Sequence, residues 1–181
     1  MLFRSPGLYA KLAYDAREMT AVSNVAIVPY AVAVNPHVPA KNIRELIAAS
    51  KAQKGSLSFG SSGAGSMSHL AAELLRAEGG ANLVHVPYKG TAPAVTDTIA
   101  GQIDMMIADY AALAPFEKTG KLRILAVAGS RRAAIAPKLP TVAEAGVRGG
   151  VVVGVGQQEV SGFLEGLGGH VGSLPEWWSE G

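Results

Sequence analysis

Apolar positions along the chain come in short clusters set apart by glycine, proline and small polar residues. Their spacing switches between strand-like and helix-like periods. Thr20 to Val34 is rich in Val, Ala and Ile and alternates weakly. It predicts a buried strand, or a strand pair broken near Pro29. Asn35-Pro36 marks a turn. Asn42 and Glu45 stand at capping-box spacing, and Ile43, Leu46 and Ile47 form an i, i+3, i+4 stripe. A helix follows from these, ending near Lys54 with Gly55 as its stop. Ser56 to Phe59 predicts a short strand that runs straight into Gly60-Ser-Ser-Gly-Ala-Gly-Ser66. A second helix is predicted over about Met67 to Ala77, with Leu70, Leu74 and Leu75 on one face and Gly79-Gly80 as its stop.

The pattern then repeats. Leu83 to Val86 reads as a strand. Thr91 is placed as the cap of a helix with Pro93 in its first turn and Gly101 at its end. Ile103 to Ile107 reads as a strand closed by Asp109, Ala111 to Thr119 as a short helix, and Leu122 to Val127 as a strand. Thr141 and Glu144 repeat the capping-box spacing. Strands and helices alternate, and the strands are continuous apolar runs, as expected when both faces of a sheet are covered. This predicts an α/β fold with a largely parallel sheet.

Composition narrows the function classes. The 181 residues are 49% hydrophobic, which excludes a disordered chain. The longest apolar stretch, Val25 to Val34, has a proline inside it and is far short of the roughly 20 residues that span a bilayer. The first residues show no apolar core of a secretory signal. With no cysteine, disulfides, thiolate metal sites and cysteine nucleophiles are excluded. The net charge of +2 is not clustered, so no nucleic-acid partner is expected. One split stands out. Residues 1–147 hold 15 of the 16 Lys and Arg and 12 of the 22 glycines, whereas residues 148–181 hold ten glycines, four acids, one base and both tryptophans.

The clearest candidate for chemistry is the loop Gly60 to Ser66. Placed between a strand end and a helix start, it offers unpaired N–H groups, the hydroxyls of Ser61, Ser62 and Ser66, and the positive end of a helix dipole. Glycines at 60, 63 and 65 allow close backbone approach. An anion-binding loop and a flexible βα turn with a serine cap are both compatible with these residues. Sharper motifs fail. A Walker A loop needs Lys-Ser/Thr where Ser66-Met67 stands, a dinucleotide fingerprint needs glycine in place of Ser68, and a nucleophile elbow needs glycine in place of Ala64. Histidines 37, 69, 85 and 170 show no metal-ligand spacing, so no metal and no cofactor is expected. His69 falls about three residues into the helix, where it either helps hold the loop or bonds locally. Asp109 and Lys89 follow strands at the edge where open α/β sheets take ligands. Arg123, Arg131 and Arg132 are placed on a solvated or lobe-facing surface.

A resemblance emerges from the ordered motifs. These are Asn35-Pro36 with Pro39-Ala-Lys41; Ser61-Ser-Gly-x-Gly-Ser66 with His69-Leu-Ala and Glu73-Leu74; and Val86-Pro-Tyr-Lys-Gly90 with Ala92-Pro-Ala94 and Asp97. Gly101-Gln-x-Asp104, Gly120-Lys-Leu-Arg123 with Leu125-Ala-Val127, and Pro140-Thr-Val-x-Glu-Ala-Gly146 follow. In this order, over about residues 9–147, the chain resembles the substrate-binding proteins of tripartite tricarboxylate transporters, the Bug family. The resemblance implies a type II periplasmic-binding-protein-like α/β fold of two lobes around a cleft. It implies a monomeric periplasmic protein that binds a small carboxylate, delivers it to a membrane permease and catalyses nothing. It also implies ligand contacts from Ser61, Ser62, Gly63, Gly65 and Ser66, with His69 and Asp109 beside them.

Placed on this family, the chain divides into residues 1–34 as partial first lobe and hinge strand, 35–124 as a second lobe with the Ser/Gly loop, 125–147 as a return to the first lobe, and 148–181 as an atypical tail. The family's first βα unit is expected to precede residue 1, and the tail is expected to be divergent or read out of frame. One complete lobe plus part of the other is thus expected, in a form that binds weakly, because association costs roughly 4–15 kcal/mol that one loop barely offsets. The alternatives are an enzyme using the loop as a phosphate or oxyanion site, and a fragment without function.

Overall fold

The computed structural model describes residues 28–52, 56–129 and 131–147. In chain order the elements are β1 (Tyr30–Val34), α1 (Ile43–Ala52), β2 (Leu57–Ser61), α2 (Met67–Gly79), β3 (Leu83–Pro87), α3 (Thr91–Ile99), β4 (Met105–Asp109), α4 (Tyr110–Lys118) and β5 (Arg123–Val127). The strands form one sheet in the order β3-β2-β4-β1-β5. β2 is parallel to β3 and β4, and β1 is antiparallel to both β4 and β5. Four strands therefore share a direction and β1 opposes them. The expected parallel sheet is corrected at this one strand, since a buried apolar run carries no mark of direction.

Sequence dictates the two-sided burial. Along β1, Val32 and Val34 enter one core with Phe59, Leu75, Met105 and Ile107, while Ala31 and Ala33 enter the other with Ala94, Met106 and Leu113. Large side chains thus lie against α1 and α2, and small ones lie where α3 and α4 approach closely. The period-two alternation is present in β1, but both phases are apolar because both faces are covered.

The helix signals hold with local changes. Asn42 Oδ1 accepts from the Glu45 N–H at 2.9 Å, and the Glu45 carboxylate accepts from the Lys41 N–H at 2.7 Å, which closes the start of α1. Its predicted stop at Gly55 lies outside the described residues, as do the tail and the strand-like residues before Val28. α2 runs on to Gly79 and ends at Gly80 with a left-handed φ of +64°. For α3 the cap is Gly90, and Thr91 is the first helical residue. Thr141 bridges to Val127 in parallel, and residues 142–146 form turns. The Glu144 N–H does reach Thr141 Oγ1 at 3.0 Å, but the Glu144 carboxylate is drawn to Arg132 at 2.7 Å. Arg123 is not a solvated arginine, since its guanidinium donates to the carbonyls of Val38 and Ala40.

A polar cluster pins the sheet edge where β1 ends and β2 and β4 begin. Asp104 Oδ2 accepts from the N–H and hydroxyl of Ser58, both at 2.7 Å, and Oδ1 lies 3.0 Å from His37 Nε2. Asn35 Nδ2 donates to the Thr98 carbonyl at 2.7 Å, which ties in the end of α3. Burial pushes the Asp104 carboxyl up, but the hydrogen bonds from Ser58 and the His37 ring outweigh it and hold the group below its ordinary value. A carboxyl depressed in the folded state contributes stability that is complete above its unfolded value, near 3.9, and is lost as pH falls through the folded value. Asp104→Ala is expected to cost about 1–3 kcal/mol in urea unfolding at pH 7, by stranding the Ser58 N–H, and to flatten the acid limb of the stability profile. An unchanged acid limb in the variant would contradict this role.

Candidate functional site

The carboxyl ends of β2, β3, β4 and β5 lie at the opposite edge from this cluster. Ser61 closes β2, pairs with Pro87 of β3, and accepts at its carbonyl from the Tyr88 N–H at 3.0 Å. Gly60, just before it, is closely packed. A Cβ on Gly60 would lie 2.5 Å from Ile103 Cδ1 and 3.3 Å from Ala94 Cβ. The chain then turns through Gly63 (φ +128°) and Gly65 (φ +72°), where other residues would be strained, and enters α2 at Ser66.

Ser68 organises this turn. It is 3% exposed, accepts from the Ser62 N–H at 2.9 Å, and its hydroxyl lies 3.1 Å from Ser62 Oγ and 2.9 Å from Ser66 Oγ. Ser61 Oγ accepts from the Gly63 N–H at 3.2 Å, and His69 Nδ1 accepts from the Gly65 N–H at 3.0 Å. Ser66 Oγ accepts from the His69 N–H at 3.3 Å, the N-cap bond of α2. The N–H groups of Ala64, Met67 and Ser68 have no hydrogen-bond acceptor among the described residues. They cluster at the loop tip and the first turn of α2, where the helix dipole is positive.

Behind the loop lies an aromatic stack. The rings of His69 and His85 are 3.9 Å apart at 12°, and Phe59 stacks on His85 at 4.8 Å. His85 Nε2 lies 2.6 Å from Ser61 Oγ. Burial, followed by the nearby His69 ring, lowers the proton affinity of His85, and Glu73 offsets this only in part. The adjacent Tyr88 hydroxyl donates to Asp97 at 2.8 Å. Burial and then that bond push it up to about 12, so it stays protonated and ties the 87–90 turn to α3.

The structure gathers Ser61, Ser62, Gly63, Gly65, Ser66 and His69 into one turn and helix start. Asp109 ends the neighbouring β4 at the same sheet edge and makes no side-chain cap bond to α4. Lys89 is exposed. Sequence reasoning missed Ser68 and His85. Ser68 could have been found as a fourth hydroxyl, beside Ser61, Ser62 and Ser66, at the helix start. His85 becomes visible only when the β2/β3 register sets it opposite Phe59. The Ser61–His85 pair does not make a nucleophile, because Ser61 is fully buried.

The sequence matches the tripartite tricarboxylate transporter receptor family, TctC, over residues 1–156. The chain belongs to this family. The match runs slightly past residue 147, where the recognisable motifs stop. A UPF0065 protein of Bordetella bronchiseptica is 36% identical over 142 residues, covering 78% of this chain and 42% of that protein. Protein BugT of Bordetella pertussis is 36% identical over 129 residues, covering 71% and 40%. Among solved structures, R. palustris Rpa4515 with adipate superposes with a TM-score of 0.71 at 34% identity, covering 78% of this chain and 48% of that one. The chain thus spans less than half the length of these TctC relatives. Two further solved structures, of a periplasmic transporter and of the periplasmic binding protein BugD, superpose with TM-scores of 0.64 at 39% and 29% identity and are each matched over about half of their length, which bears out the α/β fold class of a partial periplasmic-binding-protein-like chain. No helix among the described residues is long and apolar enough to cross a membrane.

Because Ser68 links three groups of the TctC loop, Ser68→Ala is expected to cost about 1–3 kcal/mol by leaving the Ser62 N–H without a buried acceptor. Ser62→Ala, on the partly exposed side, is expected to stay within about 0.5 kcal/mol of wild type. Urea unfolding of both variants checks this, and equal losses would refute the central role of Ser68.

Proposed function

We propose that this chain carries one lobe's half of the solute site of an extracytoplasmic TctC receptor, which binds a small carboxylate and passes it to a membrane permease without converting it. The observation that supports this most directly is the set of acceptor-free N–H groups of Ala64, Met67 and Ser68 at the positive end of α2, ringed by the Ser62 and Ser66 hydroxyls. A carboxylate fits them because each oxygen accepts several hydrogen bonds and its charge is favoured at a helix N-terminus. Ser61, Ser62, Gly63, Gly65 and Ser66 form this cradle, His69 supports it, and Asp109 faces the cleft from β4. Residues 35–124 make up most of this lobe, β1 and β5 are the strands that connect it to the other, and the receptor works as a monomer.

The solved relative that holds adipate makes a linear dicarboxylate the natural probe. Titration of adipate into the 15N-labelled chain is expected to shift the amide resonances of Ala64, Met67 and Ser68, with affinity near millimolar. The diol of the same length, 1,6-hexanediol, should leave them unmoved. Adipate shifts confined to residues away from this loop, or equal shifts with the diol, would sink the carboxylate reading.

A further inference from the structure

The reading above uses His69 alone, as a support, and gives His85 no part, yet their stack touches both ends of the turn. His85 reaches Ser61, where the turn begins, and His69 reaches Gly65, just before α2. We infer that His85 and His69 are positioning residues that act as one neutral, stacked unit, each with its proton on Nε2, and that hold the Ser/Gly loop in its ligand-ready shape. This inference rests on the loop's being the carboxylate site.

Hydrogen-bond accounting assigns the tautomers. His69 Nδ1 faces the Gly65 N–H and therefore accepts, which leaves the proton of the neutral ring on Nε2, 3.7 Å from Glu73 Oε1. Ser61 Oγ has one proton and three partners: the Gly63 N–H, the Gly63 carbonyl at 3.1 Å and His85 Nε2. All three contacts are satisfied together only when His85 Nε2–H donates to Ser61 Oγ and the hydroxyl donates to Gly63. Face-to-face contact at 3.9 Å suits two neutral rings, since two imidazolium charges would repel there. The lowered proton affinity of His85 agrees with this. Among the described residues, the charged side chains paired with the stack are on α2. Glu73 faces the His69 ring and is itself paired with Arg76 at 2.6 Å, so its charge is shared. Phe59 is fully buried and stacks on both rings, at 4.8 Å from His85 and 6.3 Å from His69.

Protonation has a defined local effect. A second proton on His69 goes to Nδ1, the atom that accepts from Gly65, so it breaks that bond and releases the Gly65 N–H. The loop then loses its anchor next to the helix start.

Three measurements on the full chain test the inference. Long-range 15N–1H correlation of the ligand-free protein at pH 8 is expected to show both rings as Nε2–H tautomers. A proton on Nδ1 of either ring would overturn it. Amide exchange at Gly63 and Gly65 is read next, with Val32 and Ile107 of the central ladder as the reference for global stability. His69→Phe keeps an aromatic ring and is expected to speed exchange at Gly65 about tenfold. His85→Phe is expected to do the same at Gly63, and His85→Gln, which places an amide N–H near the Nε2 position, is expected to restore it to within about threefold. Unchanged exchange at both glycines in the phenylalanine variants, with the reference amides intact, would overturn the inference. If a phenylalanine variant does not fold, the wild-type tautomers and the glutamine variant decide. Adipate titration follows. Absence of any response in wild type counts against the carboxylate reading alone, because tautomer and exchange are measured without ligand. Wild-type response with undiminished adipate shifts in His85→Phe would refute positioning.

Discussion

Insertion of β1 between β4 and β5 is the constraint from which the rest of the arrangement follows. Residues 31–34 are fully buried, hydrogen-bonded along both edges, and packed on both faces. Among the described residues, no other strand pairs with β5. Because β1 runs against its neighbours, its end meets the starts of β4 and β2, and the Asn35–His37–Asp104–Ser58 cluster gathers there. The carboxyl ends of the four like-directed strands are thereby left together at the other edge. That edge is where βα turns open and where helix N-termini point, so the direction of one strand places the site.

The loop at that edge divides its polar groups between two tasks. N–H groups of Ser62, Gly63 and Gly65 are taken up by Ser68, Ser61 and His69, which gives the turn a definite shape before anything binds. Ala64, Met67 and Ser68 keep theirs available. A loop with every donor committed would be a closed cap. A loop with none committed would have to order itself on binding, at a cost in conformational entropy for each residue fixed. The observed division places rigidity in the base of the turn and free donors at its tip, which is the preorganised arrangement that wastes least binding energy.

Much of this was legible in the sequence where the deciding interaction is local. The α1 cap depends on residues three and four apart, the α2 stop on one glycine, and the Ser/Gly loop on a run of adjacent residues, and each was readable. Failures fall where the deciding partner is distant in the chain. β4 begins at Met105 instead of Ile103 because Asp104 turns its carboxylate to Ser58 on β2. The capping-box spacing at Thr141 and Glu144 closes on one side only, because the Glu144 carboxylate is held by Arg132. The direction of β1 is set by pairing with residues some seventy positions on. Ser68 and His85 were overlooked for related reasons. Ser68 was weighed only as a missing glycine of another motif, and His85 gains meaning only from a parallel register that brings it beside Phe59 and Ser61.

The choice of histidines behind the loop, and not a charged pair, can be argued from electrostatics. A lysine or arginine in the place of His85 would also reach Ser61, but it would bring a fixed charge under a site already positive from the helix end. Burying such a charge without a partner costs several kcal/mol. An aliphatic residue would fill the space and leave the Ser61 hydroxyl with fewer partners. Neutral imidazole supplies flat apolar area for Phe59, a donor at one atom, and no charge, while the second imidazole supplies an acceptor on the same platform. The field at the loop tip is then set by the helix and its free N–H groups alone. On the proposed reading, anion selectivity in this half of the site comes from backbone geometry, and side chains serve mainly to hold that backbone still.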